Sequence, residues 1–228
     1  MLDWLIALDK ELLLFCNGIH YPWSDNFYWM VTSRMLNIFM VLPLLSIMMH
    51  RRKLVEAILL LFSIALVVLL CDQIASSVFK PLFMRLRPSH DPSITVLLVN
   101  GYRSGLYGFI SSHAANSVGV AVFLALLFRH RWFTCAIAVW ALLTSYSRIY
   151  LGVHFPGDVL VGAAVGATIG WGIYALYNKT RCILLKKGLI TDPQNPYRID
   201  IYARYFATFI ALLFVVLLVL SFCVKQIF

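Results

Sequence analysis

Charge is scarce in this chain. Asp, Glu, Lys and Arg make up only 13% of its 228 residues, whereas a soluble domain is usually about a quarter charged. The hydrophobic share is 61%, and the apolar residues come in long uninterrupted runs. Several runs exceed the length of ordinary core helices, which argues against a soluble helical core and for membrane spans. Close cysteine pairs are also missing. Cys16, Cys71, Cys135, Cys182 and Cys223 are scattered, most of them in or beside apolar runs. No disulfide framework and no zinc site is expected, and these thiols read as small hydrophobes. A basic leader is absent too: Asp3 precedes the first basic residue, Lys10, so no signal peptide is expected. Neither an internal repeat nor a low-complexity segment is visible.

The charge that is present is lopsided, at a formal net +9. In a soluble protein that excess would suggest nucleic acid. Here most basic residues lie in short loops between apolar runs, where topology and anionic lipid explain them. No nucleic-acid partner is expected.

Residues 1–20 mix Leu, Ile, Trp and Phe with Asp3, Asp9, Lys10 and Glu11. The apolar stretches there are too short to span, so an amphipathic interfacial helix is expected. Six candidate spans follow, at about 28–49, 54–76, 113–128, 132–149, 158–177 and 205–224, each near the roughly 20 residues a bilayer needs. The third is the shortest and is expected to extend into its flanks. Arg34, inside the first, reads as an anchor that snorkels to the headgroups. The expected fold is therefore all-α, an integral membrane helical bundle of about six transmembrane helices plus an N-terminal interfacial helix. Residues 1–22 would form that helix, 23–180 the membrane core, and 181–228 a cytoplasmic linker with an additional transmembrane helix.

Basic loops set the orientation. Arg51, Arg52, Lys53, Arg129, Arg131, Lys179, Arg181, Lys186, Lys187, Arg198 and Arg204 fall on one side. Lys10, Arg34, Lys80, Arg85, Arg87, Arg103, Arg148 and Lys225 fall on the other. Setting aside Lys80, Arg87 and Arg148, which belong to polar clusters, the first side carries the excess and is assigned to the cytoplasm. The segment 77–112 is then the long outward loop. Its Pro81, Pro88, Pro92, Gly101, Gly105 and Gly108 predict irregular chain with short helical pieces.

Three polar clusters border the apolar runs: Lys80-x6-Arg87-Pro88, then Ser111-Ser112-His113, then Ser147-Arg148-x5-His154-x3-Asp158. His154 and Asp158 share one face if helical, about 6 Å apart along the axis. Pro156 predicts a helix start between them. The carboxylate can then hold one imidazole nitrogen and leave the other free to attack. Arg148, at a span end beside that pair, is expensive unless it binds an anion. Lys80 supplies a point charge and Arg87 a planar fork matched to phosphate oxygens. Ser111, Ser112 and His113 precede a span, where free backbone N–H groups form an anion site. His113 can serve as general acid. Taken singly, each cluster also fits headgroup snorkelling or helix capping.

Together, in this order and spacing, the clusters resemble the signature of the type 2 phosphatidic acid phosphatase family. The motifs cover residues 80–158, and the span pattern fits roughly 28–177. The second motif departs from the family's Pro-Ser-Gly-His, reading Ile110-Ser111-Ser112-His113. Serine keeps the backbone N–H that glycine would offer, and isoleucine relaxes the turn. The resemblance implies that Lys80, Arg87 and Arg148 clamp the phosphoryl oxygens, with Ser111 and the Ser112 N–H adding hydrogen bonds. It implies that His154, oriented by Asp158, attacks phosphorus to form a phosphohistidine, while His113 protonates the leaving group and then activates water. Three fixed cations would do the work of a metal, so no metal and no cofactor is expected.

Arg85 and Arg103 are candidate contacts for a second phosphate or an acidic headgroup. The implied substrate is a membrane lipid phosphate: phosphatidate, phosphatidylglycerol phosphate, undecaprenyl diphosphate or a lipid A phosphate. Anionic lipids are the expected surroundings. The implied location is a bacterial inner membrane, with the site facing the periplasm or exterior. Three other readings stand beside it. One is a lipid-to-lipid phosphotransferase, and another a non-catalytic anionic-lipid binder or transporter. The third is oxidative chemistry, since vanadate-dependent haloperoxidases resemble the same motifs.

Overall fold

The computed structural model describes residues 2–33, 36, 40, 46, 54–198 and 200–223. Its main elements are α1 (Leu2–Asn17), α2 (Pro22–Val31), α3 (Leu54–Phe83), α4 (Ser112–Phe128), α5 (Arg131–Tyr150), α6 (Pro156–Lys186) and α7 (Asp200–Cys223). Among the described residues there is no strand, only one isolated antiparallel bridge between Leu86 and Tyr107.

Local chemistry sets the helix ends that matter here. The Ser111 hydroxyl accepts from the Ala114 N–H and caps α4, as short polar side chains do at an N-cap. Proline in the first turn and the Asp158 carboxylate, which accepts from the Phe155 N–H at 3.1 Å, start α6. Near its end α3 passes through a π-helical stretch, Ile74–Phe79, and runs on to Phe83, carrying Lys80 in its last turn.

The helices α3, α6 and α7 are long and apolar enough to cross a membrane, with mean hydropathies of 2.9, 1.8 and 2.9 over their most apolar stretches. Only 28%, 33% and 22% of those stretches is buried inside the bundle. Phe62, Leu69, Trp171, Val219 and Phe222 all point outward. Water would not tolerate so large a contiguous apolar surface, but lipid tails cover it at no cost. The chain is a membrane protein.

Two expectations about the spans change. The helix α4 does not grow into its flanks. Ser111 caps one end, and Arg129 stops the other in the left-handed region at φ 50°, so it stays at 17 residues. The fifth span is longer than hydropathy indicated: α6 runs 31 residues and carries its polar end beyond the apolar stretch. Most of the first candidate span, with Arg34, lies outside the described residues, as do Arg51, Arg52, Lys53 and Lys225.

The centre of the bundle is the α4–α6 contact. A Cβ on Gly162 would stand 2.7 Å from the Ser111 carbonyl oxygen, and one on Gly166 or Gly170 would collide with the Ala115 or Gly119 carbonyl. Glycine every fourth residue thus lets the two backbones touch, as small residues do between membrane helices. Around this seam, Leu60, Phe123, Phe128, Phe133 and Phe206 from α3, α4, α5 and α7 form the core.

The two poles differ. At one, Arg181 donates to Glu56 at 2.9 Å and to the Asp192 and Gln194 carbonyls at 2.7 Å, tying α6, α3 and the last linker together. At the other, the segment after α3 folds as irregular chain with two short turns, Pro88–His90 and Val99–Gly101. There α1 lies against it. Lys10 reaches Asp91 at 3.2 Å. Asn17 donates to the Leu97 and Tyr150 carbonyls and accepts from the Leu97 N–H.

Candidate active site

Four chain ends meet at this second pole: the end of α3, the start of α4, the end of α5 and the start of α6. They bring the three polar clusters together. Lys80 Nζ lies 2.9 Å from Ser112 Oγ, joining the first cluster to the second. The Ser111 N–H donates to the Asp158 carbonyl at 3.0 Å, joining the second to the third. Arg87 Nη1 donates to the Val153 carbonyl at 3.0 Å and meets His154 Nε2 at 2.6 Å, joining the first to the third.

His154 sits in the short loop between α5 and α6 and is only 1% exposed. Its Nδ1 stands 3.4 Å from Asp158 Oδ2, close enough for an ion pair but without a hydrogen bond. Burial, then the positive charges of Arg87, Arg148 and Lys80, push the imidazole well below its usual pKa. The ring is therefore neutral across the ordinary range, with a lone pair on Nε2. Burial also weakens the hold of Arg87 on its own proton, with Arg148 adding to the effect, and brings it down to about 10.

Arg148 is 1% exposed, and its Nη1 donates to Thr32 Oγ1 at 2.6 Å. Its Nε and Nη2 find no hydrogen-bond partner among the described residues, and neither does Nε of Arg87. Buried guanidinium donors without partners are costly. An anion between these two side chains would satisfy them, and phosphate oxygens suit the fork. His113 lies in the first turn of α4, and Arg148, His154, Arg87 and Lys80 are the charges that act on it. Among the described residues, no three His, Cys, Asp or Glu side chains are placed to hold a metal ion.

Two hollows reach this centre from different sides. One, of about 320 Å³, has Ser112 and His113 at its polar end and walls such as Ile64, Val68, Leu124 and Phe206. The other is an open groove of about 470 Å³, lined by Lys80, Arg87, Met84, Leu106 and Tyr107.

Arg85 and Arg103 stand differently from the other cations. Arg85 turns inward: Nη1 donates to Asp158 Oδ1 at 2.9 Å and Nη2 to Asp9 Oδ2 at 2.7 Å, with the guanidinium 4.0 Å over the Phe155 ring. Arg103 is exposed, and its carbonyl accepts from Ser89. Sequence reasoning missed Asp9 and Thr32. Asp9 reaches the site from α1 and Thr32 from just beyond α2, and neither stands at a spacing that would mark it.

Residues 56–182 match the PAP2 superfamily. The chain belongs to that family. Among curated PAP2 relatives, the lipid A 4′-phosphatase of Porphyromonas gingivalis is 34% identical, over 95% of this chain and 92% of that protein. The lipid A 4′-phosphatase of Bacteroides thetaiotaomicron is 41% identical, over 78% of this chain and 81% of its own length. Among solved structures, Aquifex aeolicus LpxE superposes with a TM-score of 0.54 at 26% identity, covering 73% of this chain and 94% of that one. The PAP2 match spans α3 to most of α6 and leaves α1, α2 and α7 outside.

Proposed function

We propose that this chain is a PAP2 lipid phosphatase that removes the 4′-phosphate of lipid A through a phosphohistidine. One observation carries the chemistry: a buried neutral histidine with its attacking nitrogen 2.6 Å from an arginine, beside a second buried arginine whose Nε and Nη2 find no hydrogen-bond partner among the described residues. The apolar hollow suits hydrocarbon chains and the basic groove suits phosphate. The lipid A assignment draws on the two relatives of that name, matched over 92% and 81% of their own lengths.

In the proposed reaction, phosphoryl oxygens take the donors of Lys80, Arg87 and Arg148. Arg87 thereby releases His154 Nε2, which attacks phosphorus. The P–O bond to the lipid breaks, and His113, the imidazolium once the bound phosphate offsets the surrounding cations, gives its proton to the leaving alkoxide. His113 then takes a proton from water, whose oxygen attacks the phosphohistidine. The P–N bond breaks, freeing inorganic phosphate and neutral His154. Asp158 keeps a proton on Nδ1 throughout. The Ser111 and Ser112 hydroxyls and the first N–H groups of α4 donate to the phosphoryl oxygens and offset the remaining negative charge. The excess of basic loop residues at the far pole supports an outward position for this one, on the outer side of an inner membrane.

Phosphate release from purified full-length protein tests this, with lipid A, undecaprenyl diphosphate and phosphatidylglycerol phosphate in EDTA buffer. Lipid A should lose one phosphate, from the 4′ position by fragment mass analysis, and His154→Ala should release none. Strict dependence on an added divalent ion, or activity in His154→Ala, would overturn the mechanism. Transfer of phosphate to a second lipid instead of water would make the chain a phosphotransferase.

A further inference from the structure

The helix α1 lies outside the residues matched to the family, yet one of its side chains touches the site's framework. Asp9 uses both carboxylate oxygens there. Oδ2 accepts from Arg85 Nη2 at 2.7 Å, and Oδ1 accepts from the Gly157 N–H at 2.7 Å, in the first turn of α6. Arg85 spends its other terminal nitrogen on Asp158 Oδ1 at 2.9 Å. The second oxygen of Asp158 takes the Phe155 N–H and faces His154 Nδ1.

This chain of contacts has two physical effects. Asp158 is fully buried, and a buried carboxylate needs a partner to stay ionised. Arg85 is its ion-pair partner among the described residues besides the imidazole. Asp158 is also held at both oxygens, so its plane cannot rotate and Oδ2 stays aimed at the ring. Asp9 in turn neutralises Arg85 and fixes the plane of its guanidinium, which rests on the Phe155 ring. A cation held in this way cannot swing out to solvent or to a headgroup. Residue 157 fits the contact: a Cβ there would stand 2.8 Å from Asp9 Oδ2, so a larger side chain would displace the Asp9 carboxylate from its present position.

We propose that Asp9 is a positioning residue for the reaction: through Arg85 it holds Asp158 against His154, so the interfacial helix α1 is part of what orients the nucleophile. The proposal rests on His154 being the nucleophile.

The test is steady-state and rapid-quench kinetics of the full chain with a radiolabelled lipid phosphate. The variants are Asp9→Ala, Asp9→Glu, Gly157→Ala and His154→Ala. Outer partners that orient metal-bound histidines typically count for about 10–100-fold, and the low end of that range is expected for Asp9, which acts through Arg85 and Asp158. Asp9→Ala should therefore lower kcat and the rate of phosphohistidine formation by about that factor, with KM unchanged. Asp9→Glu, which keeps the charge, should recover most of the loss. Gly157→Ala changes no charged group and should slow phosphohistidine formation in the same way, which covers the case in which Asp9→Ala does not fold. Wild-type kcat and phosphoenzyme rate in folded Asp9→Ala or Gly157→Ala would overturn the proposal. A raised KM at unchanged kcat would overturn it too, since α1 would then bind lipid without orienting the nucleophile. Activity in His154→Ala would instead remove the reading beneath it.

Discussion

The same atom of His154 that would attack phosphorus accepts a hydrogen bond from Arg87, at 2.6 Å. The guanidinium both suppresses the imidazolium and occupies the lone pair. Its positive charge disfavours protonation of the ring, so removing it should raise the ring's pKa. In the free enzyme the imidazole already lies well below its ordinary value, which is about 6.5. The proposed attack needs the neutral ring, so wild-type kcat/KM should stay flat as pH falls to about that value. Arg87→Gln should move the acid limb upward, which a pH series of phosphate release would measure. Arg148→Lys should cost more than one charge-preserving change suggests, because a single ammonium cannot replace two unspent guanidinium donors. A loss of roughly 100-fold in kcat/KM is expected, the cost of removing one transition-state donor. Near-wild-type activity would mean that Arg148 is spent on Thr32 alone. At this scale the sequence was highly legible where chemistry depends on residue type and spacing. His154, Asp158, Arg87 and Arg148 stand out because such groups are expensive beside a membrane. The inward turn of Arg85 was not legible, because its partner Asp9 lies 76 residues away.

Among the elements, α4 and α6 matter most, because they carry His113 and Asp158 at neighbouring ends. Their spacing is set by main chain against main chain at Gly162, Gly166 and Gly170. Gly166→Val should force the helices apart, costing about 1–3 kcal/mol as overpacking and more in activity than in yield. Gly172, in the same helix, faces open space, with nothing within 4 Å of where a Cβ would stand. Gly172→Ala should be neutral or gain about 0.5–1 kcal/mol of helix stability. Thermal unfolding in detergent, read beside kcat, separates the two. The far pole should behave in the opposite way. Glu56→Ala leaves Arg181 buried without its ion pair, a loss of about 3–5 kcal/mol, while kcat of the folded fraction stays unchanged. Helix existence was legible from apolar runs. The far end of α6 was not, since the helix continues to Lys186, past the apolar stretch.

Over the whole molecule, the three motifs share one pole and the Glu56–Arg181 lock marks the other. With the native cysteines replaced, an impermeant thiol reagent applied from outside should label Gly105→Cys and spare Gln194→Cys. The reverse pattern would invert the proposed orientation. Membrane residence was legible from composition, because so little charge over so much apolar sequence has no soluble solution. That α1 would pack onto the pole that holds the three motifs was not, because an amphipathic pattern tells which face is apolar and nothing about its neighbours. The two hollows carry a consequence for rate laws. One is walled mainly by apolar side chains and the other is lined by cations, and Ser112 of the first lies 2.9 Å from Lys80 of the second. Substrate would arrive by diffusion in two dimensions and phosphate would depart in three. Velocity should then follow the mole fraction of lipid substrate in the bilayer, and diluting the vesicles in buffer should leave turnover per enzyme unchanged.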